Sequence, residues 1–296
     1  MNKYNNIANT LNQGCTCQTL DRDQLRQDLE RDASLQGMAL DISQEQPHLF
    51  SDSAVYLSQS SYQRIKSVIS AIERVMQLPA FEAAVLQQSP DIAKKSYGPL
   101  GVFMGYDFHI DDTHAENPAV QLIEINTNAG GAMLNAALAR AHRNCCTPMA
   151  SAMNSYVDLD QLENTFFAMF MNEWQLQKGN ADLRCIAIVD DVPESQYLAP
   201  EFELFRQLFA SRGIKTIITD PQALTWRDGQ LIHHSDVGDT NVDMVYNRIT
   251  DFDLSEPKHT ALHDAYVSGD VVVTPHPRAH ALQANKQHLT RLSNGE

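Results

Sequence analysis

Basic residues are scarce in this sequence. Lys and Arg number 22 against 37 Asp and Glu, a formal charge of −15 over 296 residues. A net anion of that size repels phosphate backbones and anionic lipid surfaces, which disfavours nucleic acid and membrane as main partners. Long apolar runs are missing too. The longest greasy stretch, Phe166 to Met171, falls far short of the roughly eighteen residues a membrane helix needs. Met1 to Gln13 is polar and Asn-rich, without an apolar core behind a basic start. Nothing there has the form of a secretory leader, so a soluble, cytoplasmic protein is expected. The five cysteines fall as Cys15-x-Cys17, Cys145-Cys146 and a lone Cys185. An odd count in tight pairs is a poor disulfide framework and fits reduced thiols. Cys15 and Cys17 offer only two local soft-metal ligands, and Cys185 reads as a small buried hydrophobe. Against these absences, 43% of the residues are apolar and spread along the chain. That suffices for a sizeable core, in two domains or one large one.

The apolar pattern predicts helices over Thr19–Leu35, Ser60–Met76, Leu78–Gln87, Ala132–Arg143 and Leu159–Gln177. It predicts a turn and strand over Gly98–His109 and a buried strand over Ala119–Ile125. Past Gly179-Asn180 the rhythm changes. Cys185–Val189, the helix Pro200–Arg212 closed by Gly213, and Ile214–Ile218 form a strand–helix–strand unit, hence a parallel pair. Leu231-Ile232, Val242–Tyr246 and Val271–Thr274 are further strands, and Glu256–Val267 and Arg278 to about Leu292 further helices. The expectation is an α/β fold in three parts: an α+β lobe over 1–178, a Rossmann-like lobe over 179–275, and a terminal helix over 276–296.

Three segments carry candidate chemistry. The first runs from Gln121 to Gly131 and contains Glu124, Asn126, Asn128, Gly130 and Gly131. Alternate residues of a strand share a face, so Glu124, Asn126 and Asn128 would project together. A carboxylate with amide oxygens is a hard-oxygen set suited to Mg²⁺, and the glycine pair lets a ligand approach the backbone. The bland alternative is a strand-end turn capping the next helix. The second is Tyr246-Asn247-Arg248 at a strand end, where open parallel sheets bind ligands. Arg248 can clamp a carboxylate, or it can merely pair with Asp251 or Asp253. The third is Thr274-Pro275-His276-Pro277-Arg278 followed by Lys286, about two turns into the last helix.

In this order the segments resemble the eukaryotic-type glutathione synthetases, a circularly permuted branch of the ATP-grasp superfamily. The likeness covers residues 95 to 290 and rests on Glu124-Ile125-Asn126-Thr127, Gly130-Gly131, Tyr246-Asn247-Arg248 and Ala281 to Lys286. It implies a glutathione-synthetase-like, pre-ATP-grasp fold and a carboxylate–amine ligase. Glu124 and Asn126 would hold Mg²⁺, Lys286 would contact ATP beside Gly130 and Gly131, and Arg248, Tyr246, Asn128 and Asp107 would line the substrate site. The family's Arg-Ser-Asp-Tyr segment is Gly105-Tyr106-Asp107-Phe108 here, without the Arg. The family's serines before Gly-Gly are replaced by Asn128-Ala129. The substrate, a small carboxylate or peptide, therefore stays open. The family continues into a nucleotide-binding module beyond the Lys-bearing helix. By that comparison the chain is expected to be truncated, to need a separate ATP-grasp half and to be inactive alone. Two rival readings stand beside this one: a non-catalytic small-ligand module, and a metal-dependent hydrolase built on His109, Asp111, Asp112 and His114.

Overall fold

The computed structural model describes residues 22–32, 35, 46–51, 55–111, 119–143 and 158–293. Cys15, Cys17, Asp112, His114, Cys145 and Cys146 lie outside them. The chain divides into two compact units. One comprises Met1–Arg74, Tyr106–Ile123 and Gly131–Leu162, and the other Val75–Gly105, Glu124–Gly130 and Glu163–Glu296.

The first unit is largely helical where described. It carries α1 (Arg22–Arg31), most of α2 (Gln59–Met76) and α4 (Ala132–Arg143). Arg140 on α4 makes a two-pronged ion pair with Asp32, at 2.6 and 3.0 Å. Strands β1 (Gly105–Asp111) and β2 (Ala119–Asn126) form a two-stranded sheet.

The second unit holds α3 (Pro79–Leu86), α5 (Leu162–Lys178) and two sheets. Strands β3 (Cys185–Val189), β4 (Lys215–Thr219), β8 (Met244–Asn247) and β9 (Val272–Thr274) form a parallel sheet in the order β4-β3-β8-β9. Helix α6 (Ala199–Ser211) joins β3 to β4, and α7 (Thr260–Ser268) precedes β9. Side chains alternate across such a sheet, and here both faces are covered. Ala187, Val189, Val245 and Val273 pack with Leu262, Ala265 and Tyr266 of α7. On β8 Tyr246 alternates with Val245, and its ring meets Phe170 of α5 and Phe205 of α6 at 4.9 and 5.2 Å. Burying each such ring contributes about 2–3 kcal/mol. Gly213, with φ of 80°, turns the chain from α6 into β4.

Three expectations need correction. Val242–Tyr246 is not one strand: β7 (Thr240–Val242) ends and β8 begins across Asp243. The Asp243 carboxylate accepts from the Arg184 and Cys185 amides, both at 2.9 Å, which fixes the kink. The sheet to which β7 belongs is antiparallel, β5 (Leu224–Arg227), β6 (Gln230–His233), β7. Strand β5 had no counterpart in the pattern, although the Asp228-Gly229 turn that joins it to β6 is a hairpin signal. Lastly, the terminal helix is two short ones, α8 (Pro277–Gln283) and α9 (Gln287–Ser293). Asn285 Oδ1 accepts from the Gln287 amide at 3.0 Å and starts the second. Lys286 therefore sits in the break, 72% exposed at its side chain.

Candidate functional site

The chain leaves β3 for β4 on one side and returns to β8 on the other. The sheet thus has a topological switch point between β3 and β8, and ligands of open α/β sheets bind outside the carboxyl ends there. Asp190 follows β3 directly and Arg248 follows β8 directly. The Arg248 amide donates to Val189 O at 2.8 Å, continuing the ladder, so the two side chains emerge from neighbouring strand ends.

Arg248 is 7% exposed. Its Nη1 donates to Asn128 Oδ1 at 2.6 Å, to Ala129 O at 3.2 Å and to the Tyr246 hydroxyl at 3.5 Å. Its guanidinium lies 5.4 Å over the Tyr246 ring. Asp251 is engaged elsewhere, by Ser255, the Glu256 amide and His259. Burial pushes the Asp190 carboxyl up to about 6, although the Asp191 amide and the charge of Arg248 pull the other way. Burial also raises the Tyr246 phenol.

Glu124 and Asn126 lie two residues apart at the end of β2, and Asn126 hydrogen-bonds the Glu124 carboxylate. Lys286 Nζ lies 2.6 Å from Glu124 Oε2. The Lys286 hydrogen bond, then Asn126, then the Lys286 charge hold the Glu124 carboxyl below its ordinary range, and the bond to Glu124 raises Lys286. Asn128 lies in the turn beyond the strand rather than on its face. Gly130 borders Arg248 there. Gly131, with φ of 89°, accepts the first helical bond of α4 from the Asn135 amide. Asp107 is an exposed residue of β1, in the other unit.

The donor set can be tested against Mg²⁺. One carboxylate is thin for an all-protein cage. It suits an ion bound mainly by water and substrate phosphates, and an ammonium already stands at that carboxylate. Among the described residues no group of three or more His, Cys, Asp or Glu could hold a metal. His109 is exposed on β1.

Asp190, Asp191, Phe252, His259 and His280 lie outside the three segments and escaped the pattern. A cleft lies over the turn after β2, lined by Thr127, Asn128, Asn247, Phe252, Pro275 and His280. His280 stacks on Phe252 at 3.6 Å, with Nδ1 3.1 Å from the Thr127 hydroxyl, and burial lowers it to about 4. His276 is lowered likewise to about 4 by burial. Its Nδ1 caps α8 through the Ala279 amide, leaving Nε2 to donate to Pro99 O at 2.9 Å. His259, wholly buried, lies between Asp191 and Asp251 at 3.0 and 2.8 Å. Burial pushes Asp191 up, but Lys258 and His259 outweigh it and hold it low. Asp190 was findable, as an acid directly after an apolar strand. His259 and His280 carry no local signal, because their partners come from distant loops.

No protein-family model matches the chain, and no curated protein matches it. Among the solved structures that match is a glutathione synthetase-like effector from Globodera pallida in its apo form, with a TM-score of 0.50 at 16% identity. The match covers 89% of this chain and 64% of that one, so the chain spans less than two thirds of its length. The fold resembles that glutathione synthetase-like protein. It is mixed α/β with a parallel sheet, and at this identity the likeness extends to the fold alone. Among the described residues no helix is long and apolar enough to cross a membrane.

Proposed function

We propose that this chain is the substrate-side part of an ATP-dependent carboxylate–amine ligase of the ATP-grasp type. In this reading Arg248 takes the substrate carboxylate, with Tyr246 and Asn128 lining the substrate site. Lys286 takes a phosphate beside Gly130, and Glu124 and Asn126 hold Mg²⁺. Bound there, Mg²⁺ would offset charge on a transferring phosphoryl group. The protein's own part is to orient the carboxylate and keep water from the switch-point crevice.

One observation carries the reading. Lys286 Nζ lies 2.6 Å from Glu124 Oε2, with Asn126 two residues along the same strand end, so the two residues to which the resemblance gives phosphate and metal are neighbours. In this reading the lysine swings from the carboxylate to the phosphate when Mg²⁺ takes its place there, so that cation and lysine share the phosphate's charge. The test is titration calorimetry of Mg-ATP into the 296-residue protein, with phosphate release followed over a panel of amino acids and dipeptides. Lys286→Ala and Glu124→Gln should each weaken Mg-ATP binding about tenfold, the loss expected for one charged contact. Equal binding by both variants and the parent protein would refute it.

A further inference from the structure

The guanidinium of Arg248 is occupied by the protein's own turn. Asn128 Oδ1 accepts from Nη1 at 2.6 Å and Ala129 O at 3.2 Å. The Asn128 amide donates back to Arg248 O at 3.0 Å and to Ile249 O at 3.4 Å. Residue 130 has to be small for this to happen. A Cβ on Gly130 would lie 2.7 Å from Arg248 Nη2 and 2.4 Å from Leu198 Cδ1, with the Glu201 carboxylate bordering the same spot at 3.4 Å. Yet the seat is incompletely filled. Nε is buried with no hydrogen-bond partner among the described residues, and an unmet donor on a buried cation is costly. A carboxylate differs from the amide in the needed way, because its two oxygens accept from two guanidinium nitrogens at once.

We propose that the turn over residues 127–130 is a built-in plug, in which Asn128 holds the seat on Arg248 until a substrate carboxylate displaces it. This rests on the reading of Arg248 as the carboxylate clamp. The turn is anchored at one end by buried Thr127 on His280 and reaches an exposed Gly130 at the other. Asn128 is only half-buried, so once lifted it can hydrogen-bond water. A clamp that is open only a fraction of the time binds more weakly by that fraction. Replacing the plug therefore strengthens binding without adding a contact.

Phenylglyoxal, which modifies accessible guanidinium groups, provides the test on the full chain, with Arg248 followed by peptide mass spectrometry. Asn128→Ala should raise the modification rate about tenfold by removing the occupant. Asn128→Asp should lower it below the parent rate, since a carboxylate holds the seat more firmly. Sodium acetate should protect Arg248 in Asn128→Ala at lower concentration than in the parent protein. If circular dichroism shows Asn128→Ala unfolded, Gly130→Ala carries the same expectation, because its Cβ crowds Nη2. A rate within twofold of the parent in the folded variant overturns the plug and leaves the clamp standing. Faster modification that neither acetate nor amino acids protect against overturns the clamp, and the plug with it.

Discussion

Replacing Glu173 by Gln removes an anionic acceptor from a buried set of donors. Glu173, on α5, is 2% exposed. Its Oε1 accepts from the Leu100 amide at 2.9 Å, and its Oε2 accepts from the Gly101 amide at 2.8 Å and the Thr274 hydroxyl at 2.7 Å. Thr274 in turn accepts from the Val102 amide at 3.1 Å. One carboxylate thus ties α5, the 98–102 loop and the end of β9. Gln keeps one acceptor oxygen and turns its NH₂ toward at least one donor. One or two donors then lose their partner at about 1–3 kcal/mol each, so roughly 2–4 kcal/mol is expected. Glu173→Ala leaves all three unmet and should cost about 3–5 kcal/mol. Thr274→Val breaks the same chain from its other end, so the double variant should fall short of additivity by about 1 kcal/mol or more. Urea denaturation provides the energies, and amide exchange at Leu100 and Gly101 localises the effect. Additive single losses below about 0.5 kcal/mol each, with exchange at both amides unchanged, would refute the reasoning.

Two further outcomes follow from the same structure. Gly98 has φ of 111°, and a Cβ there would sit 2.4 Å from Leu176 O, a backbone atom that cannot yield. Gly98→Ala should cost about 2–4 kcal/mol and lower the melting temperature by roughly 5–10 °C. A melting curve that overlays the parent's contradicts this. Asp190 and His280 should give opposite pH slopes. The folded Asp190 carboxyl titrates near 6 against an ordinary 3.8, so the folded state holds more protons in that window and stability falls as pH rises through it. Folded His280 titrates near 4 against 6.5, so the unfolded chain protonates first and stability is lost as pH falls through that window. Asp190→Asn should therefore make stability rise more steeply from pH 4 to 6, and His280→Gln should make it rise less. Denaturation midpoints across that range check both signs, and matching shifts in the two variants would contradict the assignment.

Much of the secondary structure was legible because it rests on short-range rules. The apolar spacing of Ile65, Val68, Ile69 and Ile72 reports α2. Gly213 ends α6, and the apolar runs at Cys185–Val189 and Val272–Thr274 report strands buried on both faces. The two-residue spacing of Glu124 and Asn126 likewise put them together at the end of one strand. The missed β5 had a local signal in its Asp228-Gly229 turn, whereas the other two misreadings fall where a side chain takes backbone amides. Asp243 splits an apolar run because its carboxylate is taken by the Arg184 and Cys185 amides. Asn285 breaks an apparent helix by capping the next one.

By itself, the sequence determined which residues could be helix, strand or turn, and which strand ends carried a carboxylate, an amide or a guanidinium. Periodicity and turn chemistry act within a few residues, and that information is local. Only the tertiary structure decided that Lys286 meets Glu124, that Asn128 occupies Arg248, and that Asp191 and Asp251 enclose His259. Each of those contacts joins groups that strand order and burial bring together, and a charge or amide is free to choose any partner until packing restricts it to one.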